Sequence, residues 1–241
     1  MAFQLHPDPV TNNVLATIAS FVYVQAVIAS TSFLVSQDFI SPFTSRKLVH
    51  IAAGCWICSW PLYDLSDETW MLNASMPVIM SLKLFYKGAV LRDRNDPDVI
   101  SMSRTGDPAE LLYGPLQFTF VMAYLGFCKF MQPEAAYIMA ALGIGDGIAP
   151  LVGYNFGTKF FTNYFGATKT AEGSASVAIG TYAGIHLFFL AMGMDGFDDH
   201  LARVCAAIAA IVEAMSPANY DNLGISLVLL GFFMYKSSKG H

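Results

Sequence analysis

Two short polar segments interrupt apolar stretches of the chain and supply residue types suited to phosphate or metal chemistry. The first, 143–149, is an acid, Asp146, among glycines, and the second, 169–173, follows about one loop later with Lys169 and Glu172. A carboxylate at membrane depth costs about 2.5–3.5 kcal/mol on insertion scales, so a chain seldom carries one without a use for it. The two segments indicate ion or phosphate chemistry at a membrane.

Asp146 and the glycines around it have a functional and a structural interpretation. Gly145, Gly147, Gly153 and Gly157 leave the backbone bare at short intervals, as is needed where it approaches a ligand closely. Small residues at four-residue spacing also favour close helix packing, and a lone acid can pair with a lysine or arginine of a neighbouring helix. We expect Asp146 to bind a ligand or metal, and helix packing by the glycines is compatible with that role.

The second segment opens an apolar run and also has two interpretations. Lys169 could anchor the helix at the membrane interface while Glu172 caps it, next to Thr170 and Gly173. Alternatively, Lys169 neutralises phosphate charge while Glu172 and Asp146 hold a divalent cation, as phosphoryl transfer requires. Mg²⁺ is a metal that suits such oxygen ligands.

A polar loop ahead of another apolar run has the pattern of a helix start. Asp107, Pro108 and Glu110 fit an N-cap, a proline at the first helical position and an acid at the third. That interpretation does not account for Arg104 and Gly106. An arginine at a helix N-terminus can bind phosphate oxygens with both arms of its guanidinium. We therefore expect Arg104 to face an anion.

Two further groups of polar residues border apolar runs. Glu213 is a second carboxylate inside such a run, whereas Ser216 and Asp221 fit an ordinary turn and the N-cap of the last helix. A basic cluster near the start of the second apolar run either reaches a phosphate or anchors its helix. Its members are Arg46, Lys47 and His50.

The composition indicates that all of these residues belong to a membrane protein. Of 241 residues, 55% are hydrophobic and 13% are charged, and the apolar runs are too long and too frequent for one soluble core. A helix that crosses the bilayer needs about 20 mainly apolar residues. We predict an all-α fold, a polytopic transmembrane helical bundle of seven or eight spans in one domain, 1–241. The candidate spans are 14–36, 47–63, 70–87, 111–131, 135–152, 173–194, 201–216 and 222–235.

The basic residues are distributed unequally between the two membrane faces that these spans define. One face receives nine of the 13 Lys and Arg residues and includes the 92–110 and 153–172 loops, so it is predicted to be cytoplasmic or stromal. Nearly every candidate for chemistry reaches this face. A transporter or ion-coupled permease is the alternative for the intramembrane acids, but it would place its polar groups near the midplane. A soluble-type kinase with a Gly-x4-Gly-Lys-[Ser/Thr] loop is excluded, because that string is absent.

Taken together, the motifs resemble those of a known family. The segments 145–157 and 169–173 resemble the nucleotide-binding signature of the CTP-dependent polyprenol kinases, to which dolichol kinase belongs. The motifs at 46–50, 103–115 and 213–223 are similar to those of the phytol and farnesol kinase branch. The resemblance extends from about residue 46 to residue 225, over five separated motifs in the same order.

The resemblance implies a kinase that moves the γ-phosphoryl group of CTP, or of another nucleoside triphosphate, to a prenyl alcohol such as phytol. In plants and algae this reaction recycles phytol towards tocopherol in the chloroplast membrane; a bacterial protein would lie in the inner membrane. The implied cofactor is Mg²⁺. The implied partners are the prenol, the nucleotide and the lipid bilayer, without nucleic acid.

The resemblance also implies roles for individual residues. Asp146, with Glu172 or Glu213, would hold the metal. Lys169 and Arg104 would stabilise phosphate charge, and Asp107 or Asp221 could accept the proton of the alcohol. The implied nucleotide-binding positions are Gly145, Gly147, Gly153, Gly157, Thr170, Gly173, Arg46, Lys47, His50, Glu213, Asp221 and Asn222.

Overall fold

The structure, a computed structural model, describes residues 4–103, 105–217 and 220–239. The chain divides into two compact units, Met1–Met131 and Gln132–His241. The described residues are helical apart from loops and one two-stranded β-ribbon, so the predicted all-α class is confirmed. The single-domain organisation stays a prediction.

The first unit is a set of helices with strong local start signals. Asp8, Ser41 and Asp96 each accept a hydrogen bond from a backbone N–H of the following turn, and each directly precedes a proline that suits the first helical position. The elements in chain order are α1 (Pro9–Ser36), α2 (Pro42–Gly54), 3₁₀ segments at Cys55–Leu62 and Glu68–Ala74, α3 (Ser75–Phe85), a π-helical turn at Tyr86–Leu91, α4 (Pro97–Met102), a 3₁₀ segment at Pro108–Leu112, and α5 (Gly114–Cys128).

Large aromatic side chains fill the interior of the first unit. The ring of Phe130 lies 4.8 Å from that of Trp60 and stacks on Trp70 at 4.9 Å. Trp56 and Trp60 are buried on the 3₁₀ segment that continues α2. The predicted span 47–63 therefore consists of residues 47–54 of α2 and a 3₁₀ segment that contains Pro61.

The second unit is built around one long buried helical segment. Its elements in chain order are α6 (Pro133–Met139), a π-helical turn at Ala140–Gly145, α7 (Asp146–Phe156), β1 (Phe160–Thr162), β2 (Thr168–Thr170), α8 (Ala171–Met192), α9 (Asp199–Met215) and α10 (Asp221–Lys239). The apolar window of Pro133–Phe156 is 78% buried, against 11% for that of α1. Pro133–Phe156 therefore forms the centre of its unit, where α8 packs against it and against α9.

Five helical segments of the described chain are long and apolar enough to cross a membrane. They are Pro9–Ser36, Glu68–Leu91, Pro108–Cys128, Pro133–Phe156 and Ala171–Met192. The predicted spans 201–216 and 222–235 correspond to α9 and α10, of 17 and 19 residues. The total of seven or eight spans stays a prediction.

Candidate active site

A lysine, a glutamate and a serine meet at the start of α8, and we call this group the Lys169 cluster. The ammonium of Lys169, on β2, donates to Oε1 of Glu213 on α9. The hydroxyl of Ser174 donates to Oε2 of the same carboxylate at 3.1 Å. Side-chain exposure is 17% for Lys169 and 6% for Glu213, so the pair is largely shielded from solvent. Glu213, predicted as a metal ligand, here holds the lysine.

The turn that leads into α8 positions this lysine at a helix N-terminus. Thr170 has extended backbone angles, and its Oγ1 accepts a hydrogen bond from the N–H of Gly173 at 3.1 Å. Thr170 is therefore the N-cap of a 22-residue helix. Two N–H groups of the first turn already have partners, Gly173 with Thr170 and Ala171 with the carbonyl of Lys159, so the helix dipole is what favours an anion at this end. Lys169, the residue before the cap, places an ammonium group there that is paired with Glu213.

Glu172 connects the first turn of α8 with the preceding hairpin. Its Oε1 accepts from the hydroxyl of Thr158 at 2.5 Å, and its Oε2 accepts from the backbone N–H of Lys159 at 3.3 Å. Glu172 is half-buried at the helix start, whereas Glu213 is buried. The two acids therefore have different neighbours and different surroundings.

Asp146 is buried at the first position of α7, with 2% of its surface exposed. A π-helical turn, Ala140–Gly145, directly precedes it. Such turns are rare and occur frequently at functional sites, because the extra residue changes the direction of the following side chain. The sequence prediction of a carboxylate inside the helical bundle is therefore confirmed for this residue.

The glycines near Asp146 allow two helices to come together. A Cβ atom on Gly145 would lie 2.3 Å from Oγ1 of Thr181, and one on Gly153 would lie 2.8 Å from Oγ1 of Thr170. A Cβ atom on Gly157 would lie 2.6 Å from Cγ2 of Thr170. These distances are shorter than real Cβ contacts, so the helix-packing interpretation is confirmed for Gly145 and Gly153, whereas Gly157 follows α7 and lies against Thr170. Gly147 is buried on the same helix.

Thr181 is a site residue that the sequence analysis missed. It is fully buried on α8, and its Oγ1 has no hydrogen-bond partner within the described ranges 4–103, 105–217 and 220–239. This oxygen faces the backbone of Gly145, the residue before Asp146. A buried hydroxyl without a partner is unfavourable and invites an explanation, such as an ion or ligand. In the sequence, a threonine inside an apolar run gives only a weak signal.

Asn163 is a second residue that sequence reasoning missed, and it fixes the hairpin that carries Lys169. Its Oδ1 accepts from the N–H groups of Phe165 and Ala167, each at 3.0 Å, which shapes the turn between β1 and β2. Its Nδ2 donates to the carbonyls of Ala214 and Ser216, at 3.0 and 2.8 Å. One side chain therefore holds the hairpin against the end of α9, which carries Glu213.

The three predicted metal ligands are not brought together as one group. Within the residues that the structure describes, no set of three or more His, Cys, Asp or Glu side chains could hold a metal ion. The reason is local: Glu213 binds Lys169, and Glu172 binds the hairpin. Mg²⁺ commonly uses one or two carboxylates together with the phosphates of its substrate, so a preformed three-acid group is not required.

The predicted N-cap role of Asp221 is not observed, because α10 already includes this residue and the carbonyl of Tyr220 accepts from the N–H of Gly224. Asp221 is the first residue of the helix, and its Oδ1 accepts from the N–H of Asn222 at 3.1 Å. Asn222 is buried. The hydroxyl of Ser216 donates to the carbonyl of Val212 at 2.7 Å, which closes the end of α9. Binding of nucleotide by Asp221 and Asn222 stays a prediction.

In the first unit, the helix-start interpretation of the 103–115 loop is confirmed. Oδ1 of Asp107 accepts from the N–H of Ala109 at 3.0 Å, and a 3₁₀ segment begins at Pro108. Glu110 accepts from the hydroxyl of Thr105 at 2.9 Å. Arg104, predicted to face an anion, lies outside the described residues.

The basic cluster of the first unit lies on α2. Lys47 is buried, whereas Arg46 and His50 are partly exposed. The imidazole of His50 lies 4.3 Å from the ring of Phe118 on α5. Packing against an aromatic ring is consistent with the anchoring interpretation of His50, and a phosphate contact by this cluster stays a prediction.

Comparison with known proteins gives relatives along most of the chain. Probable phytol kinase 3, chloroplastic, of Glycine max is 31% identical over an aligned length of 244 residues, gaps included. The alignment covers 95% of this chain and 74% of that protein. Phytol kinase 1, chloroplastic, of Arabidopsis thaliana is 29% identical over 237 residues, or 91% and 76% of the two chains. Farnesol kinase, chloroplastic, of Arabidopsis thaliana is 30% identical over 205 residues, or 79% and 65%. No family model and no solved structure matches.

Proposed function

The chain belongs to the family of the phytol and farnesol kinases, and we propose that it transfers a phosphoryl group from a nucleoside triphosphate to a prenyl alcohol. The observation that supports this most directly is the Lys169 cluster at the N-terminus of α8. A cation beside the positive end of a helix dipole suits a phosphate group. The acceptor is phytol or a similar prenol, and the product is a prenyl monophosphate.

The donor in this proposal is CTP, with UTP or ATP as the other nucleotides to be tested. Its support is the resemblance of the 145–157 and 169–173 segments to the signature of CTP-dependent kinases. The oxygens of Asp146 and Thr181 are hard ligands that fit Mg²⁺, and Asp146 would hold the ion together with the phosphates of the nucleotide. When bound, Mg²⁺ neutralises the negative charge of the triphosphate.

The reaction is an in-line displacement at the γ-phosphorus. The hydroxyl oxygen of the prenol forms a bond to this phosphorus, while the bond between the phosphorus and the β–γ bridging oxygen breaks and the nucleoside diphosphate leaves. Lys169 stabilises the charge on the transferred group, and Glu213 and Ser174 keep the lysine in position. The hydroxyl proton passes to a carboxylate, for which Asp221 is the candidate in the unit that carries Lys169.

The apolar character of the chain agrees with a lipid substrate. An isoprenoid chain partitions into a bilayer with about 0.8 kcal/mol for each buried methylene, so its enzyme gains by binding it among membrane helices. We place the protein in a chloroplast membrane as a multi-pass protein, with its nucleotide site at the stromal face. There it would return phytol to the synthesis of tocopherol. The chloroplastic relatives support this location.

The test is transfer of labelled γ-phosphate by the purified protein in detergent with Mg²⁺. CTP, UTP, ATP and GTP are each combined with phytol, geranylgeraniol and farnesol, and the lipid product is separated and counted. We expect a prenyl monophosphate from the wild-type protein and none from Asp146→Asn. The matched control is Asp195→Asn, which removes an exposed acid outside the candidate site and is expected to retain wild-type turnover.

Two outcomes would contradict the proposal in different ways. Absence of product from every donor and acceptor pair, with a protein that melts cooperatively, would reject the kinase. Full turnover by Asp146→Asn would keep the kinase but remove Asp146 from the metal site.

A further inference from the structure

Six aromatic side chains on and next to the hairpin that carries Lys169 are exposed, and we call this group the aromatic surface. Tyr164 is 91% exposed and Tyr154 is 79% exposed, values that an aromatic ring rarely keeps in water without a partner surface. The members are Tyr154, Phe156, Phe160, Phe161, Tyr164 and Phe165.

The position of this surface in the chain restricts what it can contact. α7 ends at Phe156 and α8 begins at Ala171, and both belong to segments able to cross a membrane. Each strand of the hairpin has three residues, so it is about 10 Å long at 3.3 Å per residue. The interfacial layer on each side of a bilayer is roughly 5–8 Å thick. A hairpin of this size, attached at both ends to membrane helices, lies in or directly next to that layer.

The hairpin holds its aromatic side chains away from the helices. Asn163 fixes the turn and attaches it to the end of α9. The N–H of Ala171 donates to the carbonyl of Lys159 at 2.9 Å, and Glu172 binds the hydroxyl of Thr158. The backbone that carries Tyr164 and Phe165 is therefore fixed at its turn and at its base.

The chemistry of the segment matches the boundary between lipid headgroups and acyl chains. Residues 154–170 contain two lysines, Lys159 and Lys169, and no acidic residue. Tyrosine combines an apolar ring with a polar hydroxyl, and lysine extends an apolar stem with a charged end, so both suit an environment that is apolar on one side and wet on the other. Aromatic residues are enriched at the two interfaces of membrane proteins for this reason.

From these observations we propose that the 160–170 hairpin is an interfacial membrane-binding element whose aromatic surface inserts into the lipid headgroup boundary. Insertion covers rings that would otherwise face water. Since Lys169 lies on the same hairpin, opposite Phe161, the depth of the hairpin also fixes the depth of that lysine relative to the membrane. This inference concerns the membrane contact of the hairpin and holds whether or not the protein is a kinase.

The test measures the depth of single added tryptophans in vesicles. The variants Tyr164→Trp and Phe165→Trp are reconstituted into vesicles of phosphatidylcholine and phosphatidylglycerol, in which part of the phosphatidylcholine is brominated near the top of its acyl chains. The fluorescence of the wild-type protein, with three native tryptophans, is subtracted. The matched control is Leu65→Trp, at an apolar residue that is 60% exposed in a loop with acidic neighbours.

We expect the brominated lipid to quench at least about half of the added emission at positions 164 and 165, because an inserted ring lies within the upper acyl region. Acrylamide in the water phase is expected to quench this emission less than that of the Leu65→Trp control. Acrylamide quenching equal to that of the control would overturn the proposal. Protection from both quenchers would also overturn it, because protein and not lipid would then cover the aromatic surface.

Discussion

Two groups of lysines and carboxylates in this chain have similar contacts but different surroundings. In the Lys169 cluster of the second unit, one lysine meets one buried glutamate, which also accepts from Ser174. In the first unit, Lys87 donates to Asp96 at 2.8 Å and to Asp98 at 2.6 Å, and Lys83 lies 2.8 Å from Asp98. We call this second group the α3–α4 network.

An ion pair does not by itself identify a catalytic lysine. In the α3–α4 network, Asp96 caps α4 and Asp98 has two lysine partners, so the charges join the end of α3 to the start of α4. In the Lys169 cluster, the lysine stands directly before the N-terminus of a long helix, where an anion is favoured. We therefore assign chemistry to the Lys169 cluster and a structural role to the α3–α4 network.

The largest effect is expected when both charges of the Lys169 cluster are removed together, which tests whether this cluster has a catalytic role that the α3–α4 network lacks. Lys169→Met alone leaves Glu213 buried without its cation, which costs about 3–5 kcal/mol, so lost activity could reflect lost folding. The double variant Lys169→Met with Glu213→Gln has no unpaired charge and should regain most of the stability. We expect its rate of phosphate transfer to stay at least about 10²–10³-fold below wild type, because the charge that stabilises the transferred group is gone.

This variant is checked by thermal unfolding in detergent and by transfer of labelled phosphate from the same preparation. Recovery of both stability and turnover in the double variant would place the Lys169 cluster in the same structural class as the α3–α4 network. Recovery of stability alone would separate the two groups.

A second variant tests whether the hairpin positions Lys169. Asn163→Asp keeps the oxygen that accepts from Phe165 and Ala167, but it loses the Nδ2 donor to the carbonyls at the end of α9. The turn should form while its attachment to α9 weakens. We expect kcat to fall about tenfold, because small displacements of a catalytic group are costly, with the KM for the prenol little changed.

Asn163→Ala is the companion variant, since it loses the turn contacts as well and should reduce kcat further. If Asn163→Asp kept wild-type kcat, attachment of the hairpin to α9 would have no part in positioning Lys169. A fall in unfolding temperature with unchanged kcat would mean that Asn163 is only structural.

Much of the secondary structure was predictable because it depends on local signals. The helix starts at Asp107–Pro108 and at Thr170–Gly173 follow from capping residues within one turn, and both are present. The β-hairpin was predicted only as part of the 153–172 loop. Its signal is a turn residue, Asn163, and Gly166 with a φ of +78°, between aromatic and β-branched residues.

The residues of the site could be selected from the sequence, whereas the contacts between them could not. A carboxylate within an apolar run is conspicuous in any sequence, so Asp146 and Glu213 could be selected from composition alone. Lys169 and Glu213 are 44 residues apart, and their contact depends on how α8 packs against α9. Helical periodicity indicates which residues share a face but does not specify which helix that face meets, so the metal set containing Glu213 could not be distinguished from an ion pair.

The α3–α4 network supplies the opposite prediction to that for the Lys169 cluster. Lys87→Met leaves Asp96 and Asp98 with fewer partners, although Lys83 still lies beside Asp98. An incompletely paired buried group costs about 1–2 kcal/mol, so we expect the unfolding temperature to fall by roughly 2–8 °C. The rate of phosphate transfer per folded molecule should stay at the wild-type value. A large loss of rate without a change in stability would make this network part of the active site. It would then no longer differ in role from the Lys169 cluster.

The smallest expected effect is the pH dependence of the same network. Burial raises the pKa of Asp96, but hydrogen bonds from Lys87 and from the backbone of Asp98 more than offset this, so the pKa of Asp96 lies below its ordinary value of 3.8. A carboxyl whose pKa is lowered by folding stabilises the fold above its unfolded pKa, and this stabilisation is lost as the pH falls through the folded value.

Asp96→Asn keeps a good capping residue but has no charge to lose. The difference in unfolding temperature between wild type and Asp96→Asn should therefore be largest near pH 6 and should shrink as the pH falls below about 4 towards the folded pKa. A difference that stays constant over this range would show that the charge of Asp96 does not stabilise the network.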